Sequence, residues 1–136
     1  MDNLKHSEIT GAIIKAFYKV YNSLGYGFLE KVYENALVIE LVELGLRVEQ
    51  QKGVNVYYRD KLVGEYFTDL VVGNAVIVEL KTAMSISPAH EAQLVNYLRA
   101  TDFEVGILLN FGQTAEYKRK IYENKTPSIL TVLFDP

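Results

Sequence analysis

A chain of 136 residues, 49% apolar and 23% charged, fits one globular domain over 1–136. At that length it buries roughly two-thirds of its unfolded surface and needs no staples. It has no Cys and two His, which excludes thiol catalysis, Cys-ligated zinc, iron–sulfur clusters, disulfides and a His-rich metal cage.

The net charge is −3, which is not the footprint of a protein that coats nucleic acid non-specifically. A nucleic-acid enzyme of this charge needs a basic patch or a metal ion to offset its own carboxylates. The N-terminal stretch MDNLKHSEIT has no apolar signal core. No apolar run reaches the roughly 18 residues that cross a bilayer. The expectation is a cytoplasmic protein with no membrane partner.

Ser7 to Leu24 reads as a helix. Ile9, Ala12, Ile13, Ala16, Phe17, Val20, Tyr21 and Leu24 recur at steps of three and four, with Ser7 as a cap and Gly25 as a stop. After the joint Gly25-Tyr26-Gly27, a second helix is predicted over about Phe28 to Leu44. Its buried stripe would be Leu29, Val32, Tyr33, Ala36, Leu37, Leu41 and Leu44, and helices joined this tightly should pack as a hairpin. Glu40 falls on that stripe, and a buried Glu needs a partner.

Val54 to Tyr58 is β-branched and aromatic and predicts a strand. A polar turn at Arg59-Asp60-Lys61 leads to a second strand, Leu62 to Val72, bent at Gly64. Gly73-Asn74 is a turn signal, and Ala75 to Lys81 a third strand with apolar residues in succession, so both its faces should be covered. Pro88 to Ala100 predicts a third helix with Pro88 in its first turn. Glu104 to Asn110 predicts a fourth strand, and Thr114 to Tyr122 a weaker helix carrying Lys118-Arg119-Lys120. Ser128 to Phe134 suits a last strand or a docking tail. The order α-α-β-β-β-α-β implies an α/β (α+β) fold with a mixed sheet flanked by helices.

Chemistry concentrates in a few places. In VIVELK, Glu79 and Lys81 are two apart and leave a covered strand on one face. They could form a solvated pair or enter a site. Asp69 lies inside the apolar strand that precedes the Gly73-Asn74 turn. Two carboxylates brought together repel unless a cation intervenes, and a hard ion such as Mg2+ answers that need with oxygen ligands. A two-residue turn at Gly73-Asn74 would put Asp69 opposite Val78 and on the other face from Glu79. A shared ion therefore predicts a three-residue turn or a bulge.

Glu30 lies in the first turn of the second helix, where an acid also complements the helix dipole. Gln93 and Tyr97 are one helical turn apart, and His90 shares their edge. Lys52, Arg59, Lys61 and the Lys118-Arg119-Lys120 run are candidate phosphate contacts, although a basic run is usually a solvated face.

Taken together, Glu30, Asp69, Glu79-Leu80-Lys81 and Gln93-x-x-x-Tyr97 resemble the PD-(D/E)XK nuclease superfamily. More narrowly, Gly27-x-x-Glu30-x-x-Tyr33, with VIVELK, HEAQLVNYL and LLNFG, is similar to the GxxExxY protein family. The resemblance runs from about Ile9 to Lys120. It implies a restriction-endonuclease-like core and metal-dependent cleavage of phosphodiester bonds, with DNA the expected substrate. On that resemblance Asp69 and Glu79 would ligate Mg2+ (or Mn2+), with the Leu80 carbonyl as a third ligand and Glu30 acting indirectly or on a second ion. Lys81 would hold the attacking water and stabilise developing charge. Gln93 would orient Lys81 or the water, and Tyr97 would contact the phosphate. The superfamily often carries Pro before its Asp, where this chain has Thr68.

A second reading is a catalytically inactive nucleic-acid-binding or protein-interaction module of the same fold. A homodimer is a further expectation, with Ile129–Phe134 either supplying the contact or completing the core.

Overall fold

The computed structural model describes residues 5–123, so the segment Ser128 to Phe134 lies outside the described residues. Two helices come first, α1 (Ser7–Leu24) and α2 (Glu30–Glu43). Strands β1 (Val48–Tyr58), β2 (Lys61–Val72) and β3 (Val76–Lys81) follow, then α3 (Pro88–Arg99), β4 (Val105–Phe111) and β5 (Ala115–Ile121). The strands form one sheet in the order β1-β2-β3-β4-β5. β3 and β4 pair in parallel across the α3 crossover and all other neighbours are antiparallel, which makes the sheet mixed and the fold α+β. No described helix is long and apolar enough to cross a membrane.

Each face of the sheet has its own core, because alternate residues of a strand point to opposite faces. Leu70, Val78 and Leu80 pack with Ile13, Phe17, Tyr33, Leu37 and Leu41 of the helical hairpin. Val71, Ile77 and Leu108 pack with Leu94, Tyr97 and Leu98 of α3. Phe111 joins the hairpin to the sheet. Its ring meets Phe17 edge-on at 4.8 Å and stacks on Tyr33 at 4.3 Å.

The first helix begins one residue earlier in its capping than the sequence suggests. His6 is the N-cap, in a left-handed conformation, and Ser7 is already helical. Gly25 ends α1 at φ 68°, donating its N–H to the Tyr21 carbonyl at 2.8 Å. In α2 the expected stripe is only partly buried. Tyr33, Leu37 and Leu41 are in the core, whereas Leu29, Val32 and Leu44 are exposed. The buried acid is Glu34 rather than Glu40, which instead pairs with Lys19 of α1 at 3.0 Å.

Two strand assignments differ from the sequence reading. β1 starts at Val48, six residues before Val54. Its opening Val-Glu-Gln-Gln-Lys-Gly is poor in β-formers, and pairing to β2 overrides that propensity. The segment predicted as a weak helix at Thr114 to Tyr122 is β5. The seven residues of β4 are buried and would leave a bare sheet edge, and β5 satisfies it through the Gly112–Thr114 turn. Its charged side chains then guard the new edge.

Candidate functional site

The β2–β3 hairpin has the irregularity that a shared site demands. Val72 pairs with Val76, so the connection is three residues long, Gly73 to Ala75, with Gly73 and Asn74 at positive φ. In this register Leu70 faces Val78, and the next position sets Asp69 across from Glu79 on the α3 face.

Backbone pairing of β2 with β3 covers only Leu70 to Val72, whereas β1 and β2 stay paired out to the Tyr58–Lys61 end. The two carboxylates sit at the fork where β2 leaves β3. There they replace the missing ladder bonds. The Asp69 N–H donates to Glu79 Oε2 at 2.8 Å, and the Leu80 N–H donates to Asp69 Oδ2 at 2.7 Å. On the other flank of β2, Gln50 faces Leu70 and Lys52 faces Thr68, while Gln51 between them has φ 54°. The ladder is thus interrupted on both sides of Asp69. Left-handed backbone at a non-Gly residue costs of order 1 kcal/mol or more and is kept where neighbours over-determine it.

Those neighbours are polar. The Gln51 side chain donates to Glu34 Oε1 at 3.0 Å and also hydrogen-bonds Asp69. Gln50 donates to Glu34 Oε2 at 2.7 Å, and Lys31 pairs with the same oxygen at 2.9 Å. Glu34 is therefore buried with both of its oxygens accepting, and it links α2 to the strand beside Asp69. Sequence reasoning missed Glu34, Gln50 and Gln51. The one signal was two amides in a row where β1 reads as too polar to be a strand.

Lys81 follows Glu79 on the same face, and its Nζ donates to Gln93 Oε1 at 3.1 Å. Tyr97, one turn further along α3, is buried, with its ring 5.9 Å from Tyr66. Glu30 is the first residue of α2. Its position is set by Tyr33, whose hydroxyl donates to the Gly25 carbonyl at 2.7 Å and accepts from the Phe28 N–H at 3.2 Å. The joint also needs Gly27 at φ 110°, a conformation that other residues avoid. The Gly27, Glu30 and Tyr33 spacing thus has a structural meaning: a hinge, a placed acid and a pin.

The electrostatics bind these groups into one site. Burial, and then the charge of Asp69, pushes Glu79 up to about 8. Burial likewise raises Asp69, while the Leu80 N–H, Gln51 and Lys81 pull it back and Glu34 raises it further. Glu30 is raised by burial and by Asp69, with Lys81 opposing. Tyr97 is raised by burial, then by Glu79 and Asp69. The Asp69 charge raises both Glu30 and Glu79, Glu30 adds to the rise of Glu79, and Lys81 opposes the rise of all three acids.

The donors suit a hard divalent ion. Two carboxylates repel across the fork, each spends one oxygen on a main-chain amide, and Glu79 keeps its second. Among the described residues no three His, Asp or Glu side chains form a ready-made cage. Two carboxylates supplemented by a main-chain carbonyl and waters are what Mg2+ characteristically takes, since it keeps part of its hydration. Glu30 is coupled to the pair without completing a three-carboxylate cluster.

Several sequence candidates lie elsewhere. His90 caps α3: its Nδ1 accepts from the Ser87 N–H, and the Ser87 Oγ accepts from the His90 N–H. Lys120 pairs with Glu91, and Arg119 donates to the Lys5 carbonyl, so much of the basic run is engaged two strands away from β3. Lys52 pairs with Glu49 at 3.3 Å, and Arg59 stands over the Tyr58 ring at the far end of the β1–β2 ribbon. Thr68, where Pro is common, is buried and donates its hydroxyl to the Lys52 carbonyl at 3.3 Å.

A mixed sheet flanked by helices, with two acids and a lysine at its β2–β3 fork, is the architecture of a restriction-endonuclease-like domain. The sequence profile of the PD-(D/E)XK nuclease superfamily matches residues 7–121, and the chain belongs to that superfamily. The crystal structure of SSO0001 has a similar fold, with a TM-score of 0.52 and 16% identity. That match covers 70% of this chain and 51% of the other, so it spans about half the length of SSO0001. No curated protein matches the chain.

Proposed function

We propose that this protein is a divalent-metal-dependent nuclease that hydrolyses phosphodiester bonds of DNA. The observation that carries the reading is the carboxylate pair at the fork. Asp69 and Glu79 are set on one face by the three-residue turn, with Glu79 pushed up to about 8 by burial and by the Asp69 charge, and with Lys81 beside them. Two buried acids held this close repel each other, and a cation between them relieves that repulsion.

Asp69, Glu79 and the Leu80 carbonyl would hold Mg2+ or Mn2+, with Glu30 tuning the site from α2. The ion supplies charge neutralisation at the attacked phosphate and a water acidic enough to attack near neutral pH. Lys81 presents its ammonium to the phosphate oxygens where negative charge develops. Gln93 accepts from that ammonium and so restricts it to one direction. Tyr97 offers a hydroxyl at the same edge and keeps its proton, because burial and the acids raise it. Positioning and electrostatics of this kind are what phosphoryl transfer demands. Kinship with the GxxExxY family is part of this reading, supported by the placement of Glu30 through Gly27 and Tyr33.

The test is cleavage of labelled DNA with Mg2+ or Mn2+. Lys81→Ala is expected to lose at least a hundredfold in rate, the usual cost of removing one such electrostatic group, roughly 10²–10³. Asp69→Asn should be at least as damaging. Wild type and Lys81→Ala equally inert on single-stranded, duplex and branched DNA would overturn the proposal and favour the binding module.

A further inference from the structure

The β1–β2 ribbon continues past the fork without β3 and stands over one flank of α3. Between them lies a cleft of about 800 Å3, whose walls include Asn55, Tyr57 and Tyr66 from the ribbon and Gln93, Asn96 and Arg99 from the helix. Its size falls among ordinary ligand sites of roughly 300–1,000 Å3. Its lining includes Gln93, which accepts from Lys81, and Tyr97, which feels the charges of Glu79 and Asp69. A second hollow of about 510 Å3 continues it, sharing Asn55 and Tyr57 and reaching Lys52 and Asp102. The two make a track rather than a hole.

We infer that this track takes unstacked nucleobases of a single strand adjoining the scissile phosphate. The inference rests on the nuclease reading and adds the substrate class to it. Three observations carry it. An aromatic line leads away from the acids: the Tyr97 ring lies 5.9 Å from Tyr66, and Tyr66 shares the cleft wall with Tyr57. Tyr57 and Tyr66 are 60% and 49% exposed, so their rings are available as stacking faces.

Two residues with side-chain amides, Asn55 and Asn96, also line the cleft, and such amides can pair with base edges as donor or acceptor. Charge is sparse. Arg99 is the cation lining the first hollow, and the second is lined by one basic residue, Lys52, itself paired with Glu49, and one acid, Asp102. Recognition here therefore depends on stacking and amide pairing more than on a phosphate-binding groove, and stacking requires bases freed from a duplex.

The experiment is fluorescence anisotropy of a labelled 12-mer, single-stranded or as its duplex, with Ca2+ present because it takes the same oxygen ligands as Mg2+. Single strand should bind more tightly than duplex. Tyr57→Ala should weaken single-strand binding roughly tenfold and abolish that preference, while Tyr57→Phe, which keeps the ring, should retain both. Asn96→Ala should weaken single-strand binding and leave duplex binding alone.

Duplex bound as tightly as single strand, or a preference that survives Tyr57→Ala, would overturn the inference. Cleavage by wild type and Lys81→Ala, run alongside, reports on the nuclease reading separately. An inert pair that still binds single strands through Tyr57 refutes the activity and keeps the track.

Discussion

Glu79 is the most strongly perturbed acid of the site. It is buried, it faces another carboxylate, and it is relieved only by an amide of the neighbouring strand and by Lys81. Its pKa stands at about 8 in the folded chain against 4.5 for an ordinary Glu. Between those values the folded state holds a proton that the unfolded state has released, so stability falls as pH rises. The contribution is complete below the unfolded value and is lost through the folded one.

Thermal melts in EDTA should therefore show a lower Tm at pH 8.5 than at pH 5.5, at roughly 4 °C per kcal/mol for a chain of this length. Glu79→Gln should flatten that slope. Mg2+ should raise Tm at pH 8.5 and do little at pH 5.5, since it binds the ionised pair and must compete with the proton below that. A Tm that rises with pH in EDTA would mean that Glu79 is not the strained acid described here.

At the scale of elements, the placement of α2 decides whether Glu30 belongs to the site. The amphipathic pattern of α2 is weak, with Leu29, Val32, Ile39 and Val42 all exposed, so packing alone fixes its start poorly. Tyr33 does so instead, by stacking on Phe111 and bridging the Gly25 carbonyl and the Phe28 N–H. Tyr33→Phe keeps the ring and deletes both bonds. A loss of about 1–2 kcal/mol is expected, read as a lower urea midpoint at unchanged m-value. Cleavage should fall with it, because the freed joint lets Glu30 drift from Asp69. Stability lost with full activity kept would detach Glu30 from the chemistry.

Across the whole molecule, the far end of the sheet holds the site's second half in place. Asn110 of β4 is buried and clasps Ala83 from both sides, its Nδ2 donating to the Ala83 carbonyl and its Oδ1 accepting from the Ala83 N–H, each at 2.9 Å. Glu116 of β5 accepts from the Ile86 N–H at 2.9 Å. The segment between Lys81 and α3 is thereby pinned at two points, which fixes how Lys81 meets Gln93. Gly112 permits the approach, since a Cβ there would come within 2.2 Å of the Ala83 carbonyl oxygen. Gly112→Ala should force that segment outward. A Tm drop of several degrees and at least a tenfold fall in cleavage are expected, with Gly11→Ala, on an open face of α1, as a control that keeps activity and raises Tm slightly because Ala is the better helix former. Equal activity in both variants would show that the 82–87 segment does not position Lys81.

The sequence by itself determined the helical hairpin, the apolar strands, the α3 crossover and the acids and lysine at the fork. Those depend on local periodicity, on turn residues and on side-chain chemistry, all of which act over a few residues. It also tied a shared ion to a three-residue turn or a bulge, because side-chain direction alternates along a strand, and the structure has the turn. Tertiary structure alone decided that a basic, helix-like segment becomes β5, that Val48 to Gly53 extends β1, and that Glu34 rather than Glu40 is the buried acid. In each case the deciding force is a partner distant in sequence: a bare strand edge, an unpaired backbone, two amides across the fold. Such pairings outweigh local preference because an unsatisfied buried polar group costs more than any single residue's propensity.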